Sequence, residues 1–274
     1  MKKTLVILIL IFLMLLILFT IAEPRRTSIV SSFTSDGYVS LSVDNMKFLF
    51  DTGANMSLIY ADTVPESFFY LRRLAIKDIS GNLISAKHIF SFNPNLGIMR
   101  GILGSVCLLP RKYQWEEYNG IIGTDLIDKN NWFIDFKKGE IHNDFLPIKK
   151  NADMYILYEC DNGLYYADFE IEGVDYTHVL IDTGYDRSDF MFRNLHFKQF
   201  NDTSLCKEDS CFGVVGNGYP IKIYQNSNNN INGINFSNIT YAVSSSHDII
   251  GIPFFRRFSS IVWNTKEHVI ECYY

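Results

Sequence analysis

Three short landmarks recur in this chain in the same order. Asp51-Thr52-Gly53 returns as Asp182-Thr183-Gly184, Gly81-Asn82 as Gly216-Asn217, and Ile121-Ile122-Gly123 as Ile249-Ile250-Gly251. The offsets are 131 residues (51 to 182), 135 (81 to 216) and 128 (122 to 250). A near-constant offset across ordered landmarks marks duplication of a unit of about 130 residues. Whatever that unit builds is built twice, and Asp51 and Asp182 are corresponding points of the two copies.

Each Asp-Thr-Gly closes a hairpin pattern. Gly37 to Val43, a turn at Asp44-Asn45 and the run Lys47-Phe48-Leu49-Phe50 lead into the first. Leu164 to Ile171, a turn around Gly173 and the run His178-Val179-Leu180-Ile181 lead into the second. Both show partial period-two alternation, and both deliver an Asp at the end of the second strand. Each Ile-Ile-Gly is followed by a short helix pattern, Asp125 to Asn130 and Pro253 to Phe258, and then by a strand pattern carrying Trp132 or Trp263. Elsewhere short strand patterns alternate with Gly/Asn turns, so the expected class is all-β. The copies occupy residues 28–147 and 148–274, with residues 1–24 set apart.

That N-terminal segment has its own logic. Lys2 and Lys3 precede an apolar run from Leu5 to Ala22 in which Thr20 is the only polar residue. At ~1.5 Å per residue the run nearly crosses a ~30 Å hydrocarbon layer. Two readings stay open: a signal peptide cleaved near Thr20-Ile21-Ala22, or an uncleaved single-pass anchor. Run length tips the reading toward the anchor, although Arg25 and Arg26 reduce the charge asymmetry across it. Either way the remainder is expected outside the cytoplasm, membrane-anchored or else secreted or periplasmic.

Hydrophobic residues make up 47% and aromatics 15%, enough to fill a core in each copy. The net charge is −5 with no basic stripe, which argues against nucleic acid as a partner. Cys206 and Cys211 lie in a polar segment, read as a loop from Asp202 to Ser210, that can close a small disulfide ring. Cys160 and Cys272 can pair if the last strand returns beside the first strand of the second copy, and Cys107, in an apolar run, reads as a buried thiol. No His or Cys spacing suits zinc, so no metal and no cofactor is expected. The six His pair with no evident nucleophile, which disfavours a Ser or Cys hydrolase. Asn201, Asn235 and Asn238 begin glycosylation-type triplets, and so does Asn55, where the match reads as coincidence. Lys137-Lys138 and Arg256-Arg257 read as solvated.

The paired motifs carry a definite chemistry. Gly53 and Gly184 permit the close backbone that brings two loops together. Thr52 and Thr183 can hydrogen-bond across to the opposite loop and hold the carboxylates in register. Two Asp carboxyls a few ångströms apart cannot both ionise cheaply, so the pair shares one proton. The ionised member can take a proton from water while the protonated member donates to a carbonyl oxygen.

Two Asp-Thr-Gly motifs, each with a later hydrophobic-hydrophobic-Gly, resemble the aspartic protease clan of pepsin-like and retropepsin-like enzymes. The stretch Phe48 to Ile59, with Ala54 after Gly53, is similar to the retropepsin form, while the single chain with two copies resembles pepsin in arrangement. The resemblance spans about residues 37–271 through its landmarks. It implies two pseudo-symmetric β-barrel lobes with a central cleft, preceded here by the N-terminal hydrophobic helix. It implies Asp51 and Asp182 as the catalytic dyad, supported by Thr52, Gly53, Thr183 and Gly184, with Ile-Ile-Gly bracing the loops from below. The substrate would be a peptide or protein, and one chain supplying both Asp residues needs no homodimer, so a monomer is expected.

The same resemblance implies a flap closing over bound peptide. Leu74 to His88 is the candidate, with Ser80-Gly81-Asn82 at its tip and Val215-Gly216-Asn217 as its counterpart; an ordinary surface hairpin is the competing reading. The Tyr that pepsin-like flaps carry near the tip is absent. A second departure is Tyr185, where these families place a small residue. A Tyr there can point outward, line a pocket or crowd the dyad. These departures motivate an alternative: a catalytically inactive peptide-binding envelope protein on the same fold.

Overall fold

The computed structural model describes residues 31–32 and 37–274, except 44, 79–80, 93–94, 97–98, 101–103, 115–116, 144–150, 198–203, 213–217 and 245–246. The N-terminal apolar run, Ser80, Val215-Gly216-Asn217 and the Asn201 triplet lie outside the described residues. Among the described residues, no helix is long and apolar enough to cross a membrane.

Strands dominate. The first half holds β1 (Ser31–Ser32), β2 (Ser40–Val43), β3 (Met46–Phe50), β4 (Leu58–Tyr60), β5 (Phe69–Lys77) and β6 (Leu83–Ser91). It continues with β7 (Asn95–Leu96), β8 (Met99–Arg100), β9 (Gly104–Leu109), β10 (Gly120–Ile122), β11 (Trp132–Asp135) and β12 (Glu140–His142). The second half holds β13 (Met154–Asp161), β14 (Leu164–Ile171), β15 (Val174–Asp182), β16 (Phe190–Arg193) and β17 (Ser204–Phe212). It ends with β18 (Gly218–Ile231), β19 (Ile234–Ser244), β20 (Ile249–Gly251), β21 (Ser260–Asn264) and β22 (Val269–Tyr273). One-turn helices Thr124–Ile127 and Ile252–Phe255 directly follow the two Ile-Ile-Gly segments, where short helices were expected.

The halves share a strand order. A seven-stranded sheet runs β2-β3-β10-β4-β9-β6-β5, and part of the larger sheet runs β14-β15-β20-β16-β19-β18-β17. The senses match as well. The pairs β3–β10 and β4–β9 are parallel, as are β15–β20 and β16–β19, and the other neighbours in both runs are antiparallel. Strands β1-β12-β11-β21-β22-β13, drawn from both halves, continue the larger sheet from β14, with Trp132 opposite Trp263 across β11–β21, and β7 pairs with β8.

Side-chain alternation explains the apolar motifs. In β3, Phe48 and Phe50 enter a large core shared by both halves, and Leu49 enters a smaller core of the first half alone. In β15, Ile181 enters the shared core and Leu180 the small core of the second half. Ile122 and Ile250 face the shared core, while Ile121 and Ile249 face the small ones. A strand buried on both faces needs apolar residues at consecutive positions, which is why Ile-Ile precedes each Gly. Each such side chain contributes about 1.5–3 kcal/mol by leaving water.

Three expectations are corrected. The segment read as a polar loop from Asp202 to Ser210 is, from Ser204 on, the edge strand β17. Its exposed Lys207 and Glu208 are residues an unpaired edge tolerates and that discourage further pairing. All five cysteines are free. Cys206 and Cys211 stand five positions apart on β17, roughly 16 Å along a strand, against the ~7 Å limit between Cα atoms of a disulfide. The last strand does return beside β13, but its register sets Met154, not Cys160, opposite Cys272. Cys107 is fully buried, as expected. Arg257, expected on a solvated face, instead pairs with Asp189.

Candidate active site

Both Asp-Thr-Gly loops begin where a parallel strand pair ends. Asp51 follows β3, and its N–H donates to the Ile122 carbonyl at 3.0 Å. Asp182 closes β15 with Gly251 as its parallel neighbour. Each loop is then pinned to the Ile-Ile-Gly segment by the same bond, Thr124 N–H to the Ala54 carbonyl and Ile252 N–H to the Tyr185 carbonyl, both 2.9 Å.

The loops are joined by a reciprocal set of bonds between two fully buried threonines. Thr52 N–H donates to Thr183 Oγ1 and Thr183 N–H to Thr52 Oγ1, each at 3.0 Å. The Thr52 hydroxyl donates to the Ile181 carbonyl at 2.8 Å, and the Thr183 hydroxyl to the Phe50 carbonyl at 2.7 Å. Only a side chain that donates and accepts from one atom can serve both bonds, hence Thr rather than Val.

The glycines make room for the carboxyls. A Cβ on Gly53 would stand 2.4 Å from Asp182 Cγ, and one on Gly184 would stand 2.6 Å from Asp51 Cγ. Each carboxyl therefore lies over the opposite glycine. Gly53 N–H donates to Asp51 Oδ1 at 2.8 Å and Gly184 N–H to Asp182 Oδ1 at 2.9 Å. The two carboxyls are close enough to share a proton. Gly123 and Gly251 make room for the loops in the same way: a Cβ there would stand 2.6 Å from the Ala54 carbonyl oxygen or from the Tyr185 ring.

Burial raises both carboxyls above their ordinary value. For Asp51, N–H groups of Gly53, Ala54 and Gly184 and the bond from Asp182 partly restore the charged form. Asp182 is pushed well above the ordinary value, by burial first, then by the Asp51 charge and by their shared hydrogen bond. The pair therefore favours a state that shares one proton over one in which both carboxyls are ionised.

Of the three orientations expected of Tyr185, burial excludes the outward one. Tyr185 is 3% exposed, packs in the small core of the second half with Met191, Cys211 and Ile249, and its hydroxyl pairs with Ser188 Oγ at 2.7 Å. Burial pushes the phenol well above its ordinary value.

The candidate flap is a hairpin, longer than expected, formed by β5 and β6. Gly81 turns it with φ 83°, and Asp78 organises the turn through bonds to Asn82 N–H at 2.8 Å and Asn82 Nδ2 at 3.2 Å. Asp51, Thr52, Gly53, Asp182, Thr183 and Gly184 thus form one cluster, while Gly81 and Asn82 belong to the hairpin turn.

Two further ties escaped the sequence. In the first loop, Ser57 donates to Asp125 Oδ1 from its N–H at 2.8 Å and from its hydroxyl at 2.5 Å, and Gly123 N–H donates to Ser57 Oγ at 2.9 Å. In the second, Arg257 grips Asp189 at 2.6 and 2.7 Å. Arg257 is therefore not a solvated side chain. No short motif announces either tie, because their partners are 68 residues apart in each case. Among the described residues, no group of three or more His, Cys, Asp or Glu is arranged to hold a metal ion.

No protein-family model and no curated protein matches this chain. Among solved structures, a retropepsin-like aspartic protease from Rickettsia conorii aligns at 17% identity and a TM-score of 0.31, over 46% of this chain and 97% of its own. The resemblance to that fold is distant.

Proposed function

We propose that this protein is an aspartic endopeptidase that hydrolyses peptide bonds with Asp51 and Asp182. The observation that carries the reading is the carboxyl pair itself: each carboxyl lies over the other loop's glycine, locked by the reciprocal threonine bonds. A structural ion pair would place a cation beside a buried Asp; here a second Asp occupies that place, which is costly unless a shared proton is useful.

In the proposed reaction Asp51 is the ionised member and takes a proton from a water held between the carboxyls. The water oxygen bonds to the scissile carbonyl carbon, while the proton on Asp182 passes to the carbonyl oxygen. Collapse of the resulting gem-diol breaks the C–N bond. The amide nitrogen receives the proton that Asp51 took, and the hydroxyl proton returns to the dyad. No covalent intermediate forms. The core position of Tyr185 is compatible with activity, because its ring packs beside Gly251 among Met191, Cys211 and Ile249.

The matched strand orders support two lobes, residues 28–147 and 148–274, with a cleft between them that takes an extended peptide through backbone bonds. The hairpin of β5 and β6 is the proposed flap over that cleft. One chain carries both Asp residues, so the proposed unit is a monomer, held outside the cytoplasm by its N-terminal segment or released there.

A peptide library incubated with the protein from acidic to neutral pH, with and without pepstatin, tests the reading. Cleavage blocked by pepstatin is expected. Pepstatin binding without turnover at any pH would contradict it and favour the inactive peptide-binding alternative.

A further inference from the structure

The two loops are tied down by ion and hydrogen-bond clamps of opposite construction. In the first, the loop supplies a hydroxyl (Ser57) and the helix after Ile-Ile-Gly supplies the carboxylate (Asp125). At the matching place of the second helix stands Pro253, which has nothing to offer. There the loop supplies the carboxylate, Asp189, and Arg257 beyond the helix supplies the cation.

The switch follows from loop length. Ile121 pairs with Leu58, seven residues after Asp51, whereas Ile249 pairs with Met191, nine after Asp182. The second loop thus has two more residues to restrain between its carboxyl and its strand. Asp189 stands at the end of that extra stretch, 1% exposed, and its carbonyl accepts the Gly251 N–H at 2.9 Å. Its Oδ2 accepts from Thr240 N–H at 2.8 Å, the Thr240 hydroxyl at 2.7 Å and Arg257 Nη2 at 2.7 Å. Its Oδ1 accepts from Arg257 Nε at 2.6 Å. The rest of the guanidinium is used on the Ser237 and Asn238 carbonyls, both at 2.8 Å. A planar donor fork fits this arrangement and a Lys ammonium does not.

We propose that Arg257, acting through Asp189, is the positioning residue of the second Asp-Thr-Gly loop and holds Asp182 against Asp51. The inference rests on the proposed dyad but not on turnover. Loosening the clamp lets the Asp182 loop draw back, so the two carboxyls couple less. Among the described residues, Cys211 of β17 is a further titratable group whose charge interacts with that of Asp182.

The test is carboxyl-carbon NMR titration of Asp51 and Asp182 in the full protein, assigned with Asp51→Asn and Asp182→Asn. Wild type, Arg257→Lys and Thr240→Val are compared, with thermal melts alongside. Thr240→Val removes one hydroxyl and keeps the ion pair, so it serves if Arg257→Lys does not fold. Expected is a fall of about half a pH unit or more in the upper dyad midpoint for Arg257→Lys, and a smaller fall in the same sense for Thr240→Val. If peptide is cleaved, kcat drops about 10-fold with KM changed less than about 2-fold. A lower melting temperature with an unchanged dyad titration would overturn the proposal. A coupled dyad that shifts as expected in a protein that cleaves nothing would leave the positioning role standing and remove the endopeptidase reading.

Discussion

At the residue scale, the paired loops leave their atoms no room to move. A methyl group at position 53 or 184 would enter the opposite carboxyl. Gly53→Ala and Gly184→Ala are each expected to cut peptide cleavage at least about 100-fold while leaving far-UV circular dichroism unchanged, since displacement of a reacting group by about 1 Å has that effect. Thr52→Val and Thr183→Val each remove a hydroxyl that both donates and accepts across the halves. Each is expected to cost about 1–3 kcal/mol of unfolding free energy in a urea titration, because the opposing N–H and carbonyl stay buried. Tyr185 shows where residue-level reading stops: its bulk was evident from sequence, its direction was not. Whether a ring faces solvent, cleft or core depends on Met191, Cys211 and Ile249, which come from three other strands.

At the element scale, the sequence exposes what repeats locally and hides what pairs at a distance. The hairpins before each Asp and the short helices after each Ile-Ile-Gly were readable because their patterns lie within a few residues. The segment containing Cys206 and Cys211 was misread because an edge strand is as polar as a loop. Thiol titration of unfolded protein prepared without reductant should find five thiols, and reductant should leave the melting temperature unchanged. The register that parts Cys160 from Cys272 would be wrong if fewer were found. The clamps Ser57–Asp125 and Asp189–Arg257 were invisible for the same reason: charged residues in turns look solvated until tertiary structure brings in a partner.

At the scale of the whole molecule, the two Asp loops are joined by more than their threonines. Phe50, the residue before Asp51, packs edge-on against Trp132 at 5.2 Å and Trp263 at 6.3 Å, one from each half. Trp263→Ala is expected to destabilise the protein by about 3–5 kcal/mol and to lower activity with it. The dyad itself acts on stability in the opposite sense. Asp182 titrates well above its unfolded value, so the stability of its protonated form is full below that unfolded value and is lost as pH rises through the folded one. Asp182→Asn should therefore melt a few °C above wild type at neutral pH and level with it near pH 3. A difference independent of pH would mean that Asp182 is not held protonated.

The measurement that tests the central claim most directly is cleavage of a peptide substrate by Asp51→Asn and Asp182→Asn, made separately and shown to be folded. If the two carboxyls act as one proton-sharing pair, either substitution alone reduces turnover by at least about 1,000-fold, because neither carboxyl can serve as both acid and base. Turnover retained by either variant would contradict the account.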